Sequence, residues 1–312
     1  MKNKKTEQRN HQPKTGNEAL CHAGFDRTVL GCTTVYMAAL LKLPDFHCVR
    51  SHLIWRKRPN QFLPYERIHV LKSTHDATQI WVYSEPGSSR LDAYRVHFFP
   101  DDQHSLRPEH FFSVARLVEE PPRVRLLEVA FDFSAESGID GSFVRAHGIF
   151  GKCRPYCVGT RNGWDAWGSR AGSKFVRSYN KTEIHKHRLE PQLQSRFLQE
   201  HQLLLASDLP KLANILPAHH IFFARLSQSK LNAALQNAGL PARQIQRTLR
   251  IVGGLEKKSL LAALRFLRRE VGLTNVHRLV EPLEPENQLV RNALLKLADD
   301  WRREWTRLES EE

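Results

Sequence analysis

Three short stretches carry side chains able to do chemistry together. Residues 126–133 read as a strand, in which alternate residues share a face. Leu127, Val129, Phe131 and Phe133 then pack inward, while Glu128 and Asp132 project from the other side with only Ala130 between them. Two carboxylates there are costly if buried. They are tolerable if they hold a cation or stand on a solvated face, and the strand alone does not choose. In residues 168–181 the same alternation places Phe175, Arg177, Tyr179 and Lys181 on one face. Arginine and lysine beside a phenol favour its phenolate. A phenol ionises near pH ~10, so it needs such help to act as a nucleophile. Of the six tyrosines (Tyr36, Tyr65, Tyr83, Tyr94, Tyr156 and Tyr179), Tyr179 alone lies between basic residues on an expected strand face. The third stretch, residues 187–193, puts Arg188 and Glu190 on one face. Pro191 marks it as an edge or a strand end, and taken alone its charged pair reads as a surface ion pair.

The elements that must position these groups follow from hydrophobic period and turn signals. Residues 79–83 and 93–99 read as a hairpin around Pro86-Gly87-Ser88-Ser89. Residues 108–118 read as a helix with Pro108 in its first turn. Residues 124–133 form a strong strand, 174–180 and 187–193 weaker ones. Beyond about residue 193 the pattern is helical: 195–206, then 229–237 and 241–252 separated by Gly239, a break at Gly253-Gly254, and a basic amphipathic stretch over 255–271. A last helix is expected from a cap at Asn287 to about Leu308. Its stripe of Val290, Leu294, Leu297, Trp301 and Leu308 suits core packing or a dimer contact. The fold class is α+β: a mainly antiparallel sheet catalytic domain with a C-terminal α-helical region. The expected division is a basic disordered arm over 1–19, an α+β domain over 20–200, and a helical DNA-binding or dimerisation region over 201–312. The pair 229–237 and 241–252, with Arg243, Arg247 and Arg250 on its second helix, is compatible with a helix-turn-helix.

The order of the motifs is more specific than any one of them. Glu-x-Ala-x-Asp on a strand (128–132), then Gly-Ser-Arg-x-x-Ser-Lys-Phe-x-Arg-x-Tyr-Asn-Lys (168–181), then Arg-x-Glu (188–190) resembles the transposase-like (Rep_trans) family of replication initiators of rolling-circle plasmids and related filamentous phages. The similarity spans residues 75–200, with weaker support at Phe25-Asp26. The resemblance implies a metal-dependent nicking-closing enzyme in which Tyr179 attacks a DNA phosphate. Asp132, Glu190 and Glu128 would hold Mg²⁺ or Mn²⁺. Glu128 stands where that family more often has Asp. Lys181 would act in catalysis and, with Arg170, bind phosphate oxygens. Lys174, Arg177 and Arg188 are the other basic residues assigned to DNA. The implied partners are origin DNA, single-stranded at the nick, a host helicase and polymerase, and a second copy of the chain.

Composition agrees with a polyanionic partner. The 312 residues carry a net charge of +14, and phosphate contacts by Lys and Arg release counterions. No run approaches the ~20 apolar residues of a membrane span. The polar, Lys-rich start lacks a secretory signal's apolar core, so the expected compartment is the cytoplasm and no membrane partner is expected. The five cysteines, an odd number, argue against a disulfide framework. Cys153 and Cys157, with His147 nearby, lack the second pair that zinc requires. His219-His220 and His185-Lys186-His187 are poor versions of a histidine metal site. A tyrosine recombinase would set its tyrosine in a helical domain. The alternative from another class is a non-catalytic, sequence-specific DNA-binding regulator on the same scaffold.

Overall fold

The structure is a computed structural model that describes residues 19–53, 65–101, 105–118, 122–150, 155–157, 163–169, 172–219 and 221–310. Residues 1–18 of the expected basic arm, Arg170, Cys153 and His220 lie outside the described residues. The strands are β1 (Cys21–Cys32), β2 (Phe46–Leu53), β3 (Tyr65–Ser73), β4 (Gln79–Pro86), β5 (Tyr94–Phe99), β6 (Arg123–Phe133), β7 (Gly148–Ile149), β8 (Pro155–Cys157), β9 (Trp164–Gly168), β10 (Lys174–Lys181), β11 (Lys186–Gln194), β12 (Phe222–Leu226) and β13 (Val280–Pro282). The helices are α1 (Met37–Leu40), α2 (Pro108–Ala115), α3 (Gly141–His147), α4 (Ser195–Glu200), α5 (Leu212–His219), α6 (Gln228–Asn237), α7 (Ala242–Glu256), α8 (Leu260–Arg269) and α9 (Glu284–Ser310). The α+β class read from the sequence is the one observed.

Ten strands form one sheet in the order β2-β3-β4-β5-β1-β6-β11-β10-β9-β8, and every neighbouring pair is antiparallel. One face of the sheet is covered. Phe25, Phe98, Leu127, Val129, Phe131, Phe133, Val176, Leu189 and Leu193 point into a core with α2 and α9. Each such side chain contributes roughly 1.5–3 kcal/mol on burial. Trp301 of α9 is its hub, with ring centroids 4.6 Å from Phe25, 5.0 Å from Phe111 and 5.4 Å from Phe112. The stripe Val290, Leu294, Leu297 and Trp301 is therefore core packing against the sheet. The opposite face of the sheet carries the candidate site.

A second core, built on Leu226, Leu231, Leu235, Ile245, Val252, Leu260 and Leu267, joins α6, α7 and α8 to β12. It leaves Arg243, Arg247 and Arg250 exposed. β12 pairs with β7 and β13, tying this unit to the chain before and after it.

Three local expectations are corrected. Gly253-Gly254 does not break a helix: α7 runs through to Glu256. Two glycines cost about 1 kcal/mol each, and burial of Val252 and Leu260 on either side outweighs that. The helix after Gln194 ends at Glu200 rather than 206, where Gln202 turns left-handed at φ +55°. Asn287 is not a cap. α9 begins at Glu284, and the buried Asn287 amide acts as a strand neighbour, accepting from the Phe223 N–H and donating to the Phe223 carbonyl, both at 2.8 Å. Among the described residues no helix is long and apolar enough to cross a membrane.

Candidate active site

Antiparallel register sets the site residues in rows across β1, β6, β11, β10 and β9. His22 pairs with Asp132, Asp132 with Arg188, Arg188 with Tyr179, and Tyr179 with Trp164. One row along, Glu190 pairs with Arg177 and Arg177 with Ala166. The register between β6 and β11 sets Glu190 opposite Ala130 and pairs Gln192 with Glu128. The small Ala130 leaves room at the centre for the long side chains around it, and Gly24 opposite it makes room for a neighbouring loop. The space at Gly24 is filled by Ser105, whose Oγ would lie 1.7 Å from a Cβ there.

β1 supplies a group that strand alternation hides. Its register with β6 jumps from Phe25–Val129 to Thr28–Leu127, so Asp26 and Arg27 together oppose Glu128. This β-bulge turns both side chains to the same side of the sheet, the re-aiming that bulges produce beside functional sites. One oxygen each from Asp26, Glu128 and Glu190 then lies within 4.8 Å of the others. Glu190 is fully buried, and Glu128 is nearly so. Three carboxylates this close repel unless a cation stands among them. Part of that role falls to Arg177, whose guanidinium bonds Glu190 Oε1 and lies 3.7 Å from Glu128 Oε2. A group of oxygen donors this close could hold a metal ion.

Asp132 is not a member of this cluster. It forms a two-pronged pair with Arg188, Nε to Oδ1 at 2.6 Å and a terminal nitrogen to Oδ2 at 2.7 Å, and the remaining nitrogen of Arg188 reaches Asp26 at 3.0 Å. Arg188 is 1% exposed. Burial opposes its charge, and the bonds to Asp132 override that and raise its pKa. Beside this pair a cleft of about 410 Å³ is lined by His22, Asp132 and Lys186.

Tyr179 is half-buried, and its hydroxyl donates to Glu190 Oε2 at 2.8 Å. Basic neighbours were expected to favour its phenolate. Its pKa is instead raised: burial is the largest cause and exceeds the lowering by Arg188 and Arg177. The phenol therefore stays protonated until a base takes its hydrogen, and Glu190 is the acceptor in place. The other side of β10 is pinned separately. His187 bonds Ser178 Oγ at 2.7 Å and Asn180 Oδ1 at 2.8 Å, so both chain neighbours of Tyr179 are anchored.

The other expected basic residues separate. Arg177 and Arg188 belong to the carboxylate network. Lys181 is buried on the Tyr179 side of β10 by strand alternation. Lys174 is buried on the opposite side, paired with the core residue Leu193. Asp26 is the residue that sequence reasoning left unassigned. Its only signal was the Phe25-Asp26 match, because a bulge leaves no periodic trace.

No family model matches the sequence, and no curated protein matches it. Among solved structures the chain is similar to a rolling circle replication initiator protein from Geobacillus stearothermophilus, with 14% sequence identity and a TM-score of 0.40, over 67% of this chain and 88% of that one.

Proposed function

We propose that this protein initiates rolling-circle replication by nicking one DNA strand at an origin and later rejoining it, with Tyr179 as the nucleophile. The observation that carries the reading is the hydrogen bond from Tyr179 to Glu190 within a group of three carboxylates on one sheet face, two of them buried and Asp26 part-buried. Glu190 lies within the 2.6–3.2 Å expected of a general base toward the group it deprotonates. Tyr179 attacks a backbone phosphorus as Glu190 takes the phenolic proton. A Tyr–O–P bond forms, the bond from phosphorus to the 3′ oxygen breaks, and that oxygen leaves as a 3′-hydroxyl after protonation. The products are a 5′-phosphotyrosine and a primer end for a polymerase. The exchange conserves an ester, so rejoining is the same step reversed.

Asp26, Glu128 and Glu190 would hold Mg²⁺ or Mn²⁺, which when bound neutralises phosphate charge and stabilises the leaving oxygen. Arg177, 5.9 Å from the centre of the Tyr179 ring, and Lys181, two residues along β10, would bind phosphate oxygens. Arg188 bonds both Asp132 and Asp26 and so orients the carboxylate of Asp26. The net charge of +14 favours a polyanionic substrate.

The test is incubation of the protein with a supercoiled plasmid library and Mg²⁺, followed by recovery and mapping of protein-linked DNA. The expected product is a relaxed circle with protein on a 5′ end at one sequence. DNA binding at a preferred sequence with neither nick nor adduct would favour the regulator reading instead.

A further inference from the structure

The sheet face that holds the carboxylates continues past them, and there its character changes from ionic to aromatic. The bulge at Asp26 and Arg27 is the boundary. Asp26 turns toward the carboxylates, and the next residue, Arg27, turns toward β5, where its guanidinium lies 5.2 Å from the centre of the Phe99 ring. Beyond Arg27 the same face carries Phe99 and His97 of β5 and Trp81 and Tyr83 of β4. The rings touch in series: Trp81 to Phe99 at 4.8 Å, Tyr83 to His97 at 4.9 Å, His97 to Phe99 at 6.0 Å and Trp81 to Tyr83 at 6.5 Å between centroids. None of these rings belongs to the sheet's main core, which takes Ile80, Val82, Val96 and Phe98 from the alternate positions of the same strands.

Tyr83, with Trp81 packed against it, belongs to a small satellite core with Tyr65, Ile68 and Val70, and two features set the outer part of the patch apart from that core. Trp81, Phe99 and Arg27 are only half-buried. The patch also holds polar atoms without partners: among the described residues Nε2 of His97 and Nε of Arg27 make no hydrogen bond, although His97 is 5% exposed. Arg27 and His97 are tied to each other, a terminal nitrogen of Arg27 to His97 Nδ1 at 3.4 Å, which fixes the guanidinium over the Phe99 ring. A ligand for this surface must offer flat faces to stack on Trp81 and Phe99, and hydrogen-bond acceptors and negative charge for Arg27. Unpaired nucleotides have all three; in a duplex the base faces are already stacked.

We infer that Trp81 and Phe99, with Arg27, form a stacking platform for unpaired bases of single-stranded DNA, and that this platform holds the strand beside the carboxylate cluster. The inference rests on the proposed nicking function for the identity of the strand, and on the platform itself for the binding. Phe99 and Glu128 lie on neighbouring strands to either side of the bulged β1, about 10 Å apart at two strand spacings. A strand crossing the sheet there meets the rings and then the carboxylates. The platform thus gives the protein a preference for melted over paired DNA without reading base identity, because every base has a stacking face.

The experiment measures binding, not cleavage, so its outcome is separate from that of the nicking reading. The full-length Tyr179→Phe protein in EDTA is titrated into two fluorescent probes of equal length and charge, an oligothymidylate and an oligomer of abasic deoxyribose phosphate. The platform predicts tighter binding of the oligothymidylate by about tenfold or more, at the scale of one or two stacked bases. Trp81→Ala and Phe99→Ala should each remove most of that preference while leaving abasic and duplex binding unchanged. Trp81→Phe, which keeps a ring, should retain it. Unchanged abasic and duplex binding also shows that the alanine variants are folded. Equal affinity of the parent for the two probes, or an undiminished preference in both alanine variants, overturns the platform even if nicking is confirmed. Absence of nicking by the parent protein in Mg²⁺, with the preference intact, would instead sink the nicking reading and leave the platform standing.

Discussion

Tyr179 on β10 donates its phenolic hydrogen to Glu190 on the neighbouring strand β11 at 2.8 Å, although the residue directly opposite Tyr179 is Arg188. The contact is therefore diagonal, one of the second-neighbour pairs that long side chains reach across a sheet. It joins the candidate nucleophile to the deepest of the three carboxylates. Tyr179→Phe removes the nucleophilic oxygen and leaves the ring. The expected outcome is loss of the covalent adduct, with unchanged circular dichroism and DNA affinity within about twofold, consistent with loss of one modest hydrogen bond. An adduct formed by the Phe variant would move the nucleophile to another tyrosine.

Metal dependence separates Asp26 from Asp132. In the proposed site the ligands are Asp26, Glu128 and Glu190, so chelation with EDTA should stop nicking and Mg²⁺ or Mn²⁺ should restore it. Asp26→Asn keeps the shape of the bulge and weakens one ligand. The half-saturating Mn²⁺ concentration should then rise by about 10- to 100-fold, the scale seen when support of a metal site is lost. Nicking at full rate in EDTA would remove the metal from the mechanism.

Asp132→Ala should act on stability first. It leaves the Arg188 guanidinium, 1% exposed, with Asp26 as its remaining carboxylate partner. Removing one partner of a buried pair costs about 3–5 kcal/mol. Denaturant unfolding should show a loss of that size. Replacing both residues together, as Asp132→Leu with Arg188→Met, should recover part of it, because no charge is then stranded. A single Asp132→Ala variant with parental stability and no metal response would return Asp132 to the ligand set.

How much of this site was legible in the sequence depended on regular alternation. β6, β10 and β11 were readable because apolar residues alternate with charged ones, so Leu127, Val129 and Phe131 declare one face and Glu128 the other. The same alternation places Lys174 away from Tyr179, an inference the basic run around Tyr179 obscured. β1 was not readable. It lies in the middle of the sheet with most residues buried, so its sequence has no polar face, and the bulge at Asp26 and Arg27 shifts its phase midway. A carboxylate on a bulge cannot be found by period, and Asp26 was missed for that reason. The short strand β12 was hidden because its partners, β7 and β13, come from distant parts of the chain. The raised pKa of Tyr179 was missed because neighbouring charges are written in the sequence and burial is not.

His187 offers a test of positioning apart from chemistry. Its ring holds Ser178 and Asn180 on the side of β10 away from the phenol, and it touches neither the carboxylates nor the attacking oxygen. His187→Ala should slow single-turnover nicking by about tenfold, toward the hundredfold that an ångström of misplacement can cost. The same adduct should still form on Tyr179. His187→Gln, which can bond one of the two partners, should fall between. An unchanged rate in both variants would show that the sheet alone fixes Tyr179.

Acid should destabilise the fold through His97. Its pKa is lowered from 6.5 to about 3, chiefly by burial, with Arg27 and Arg95 adding to the effect. In the folded protein the ring stays neutral down to about pH 3, while in the unfolded chain it takes a proton below about 6.5. The unfolded state therefore binds more protons between those limits, and stability must fall as pH falls through that window. It is fully present above pH 6.5, and the decline levels off below 3. At about 1.4 kcal/mol per pH unit, His97 alone removes about 2 kcal/mol between pH 7 and pH 5. His97→Phe keeps a ring in the same place and cannot titrate. Urea unfolding at pH 7 and pH 5 should show a smaller drop in the variant by about that amount. An equal drop in both proteins would mean that His97 is protonated in the folded state, with its charge accommodated beside Arg27.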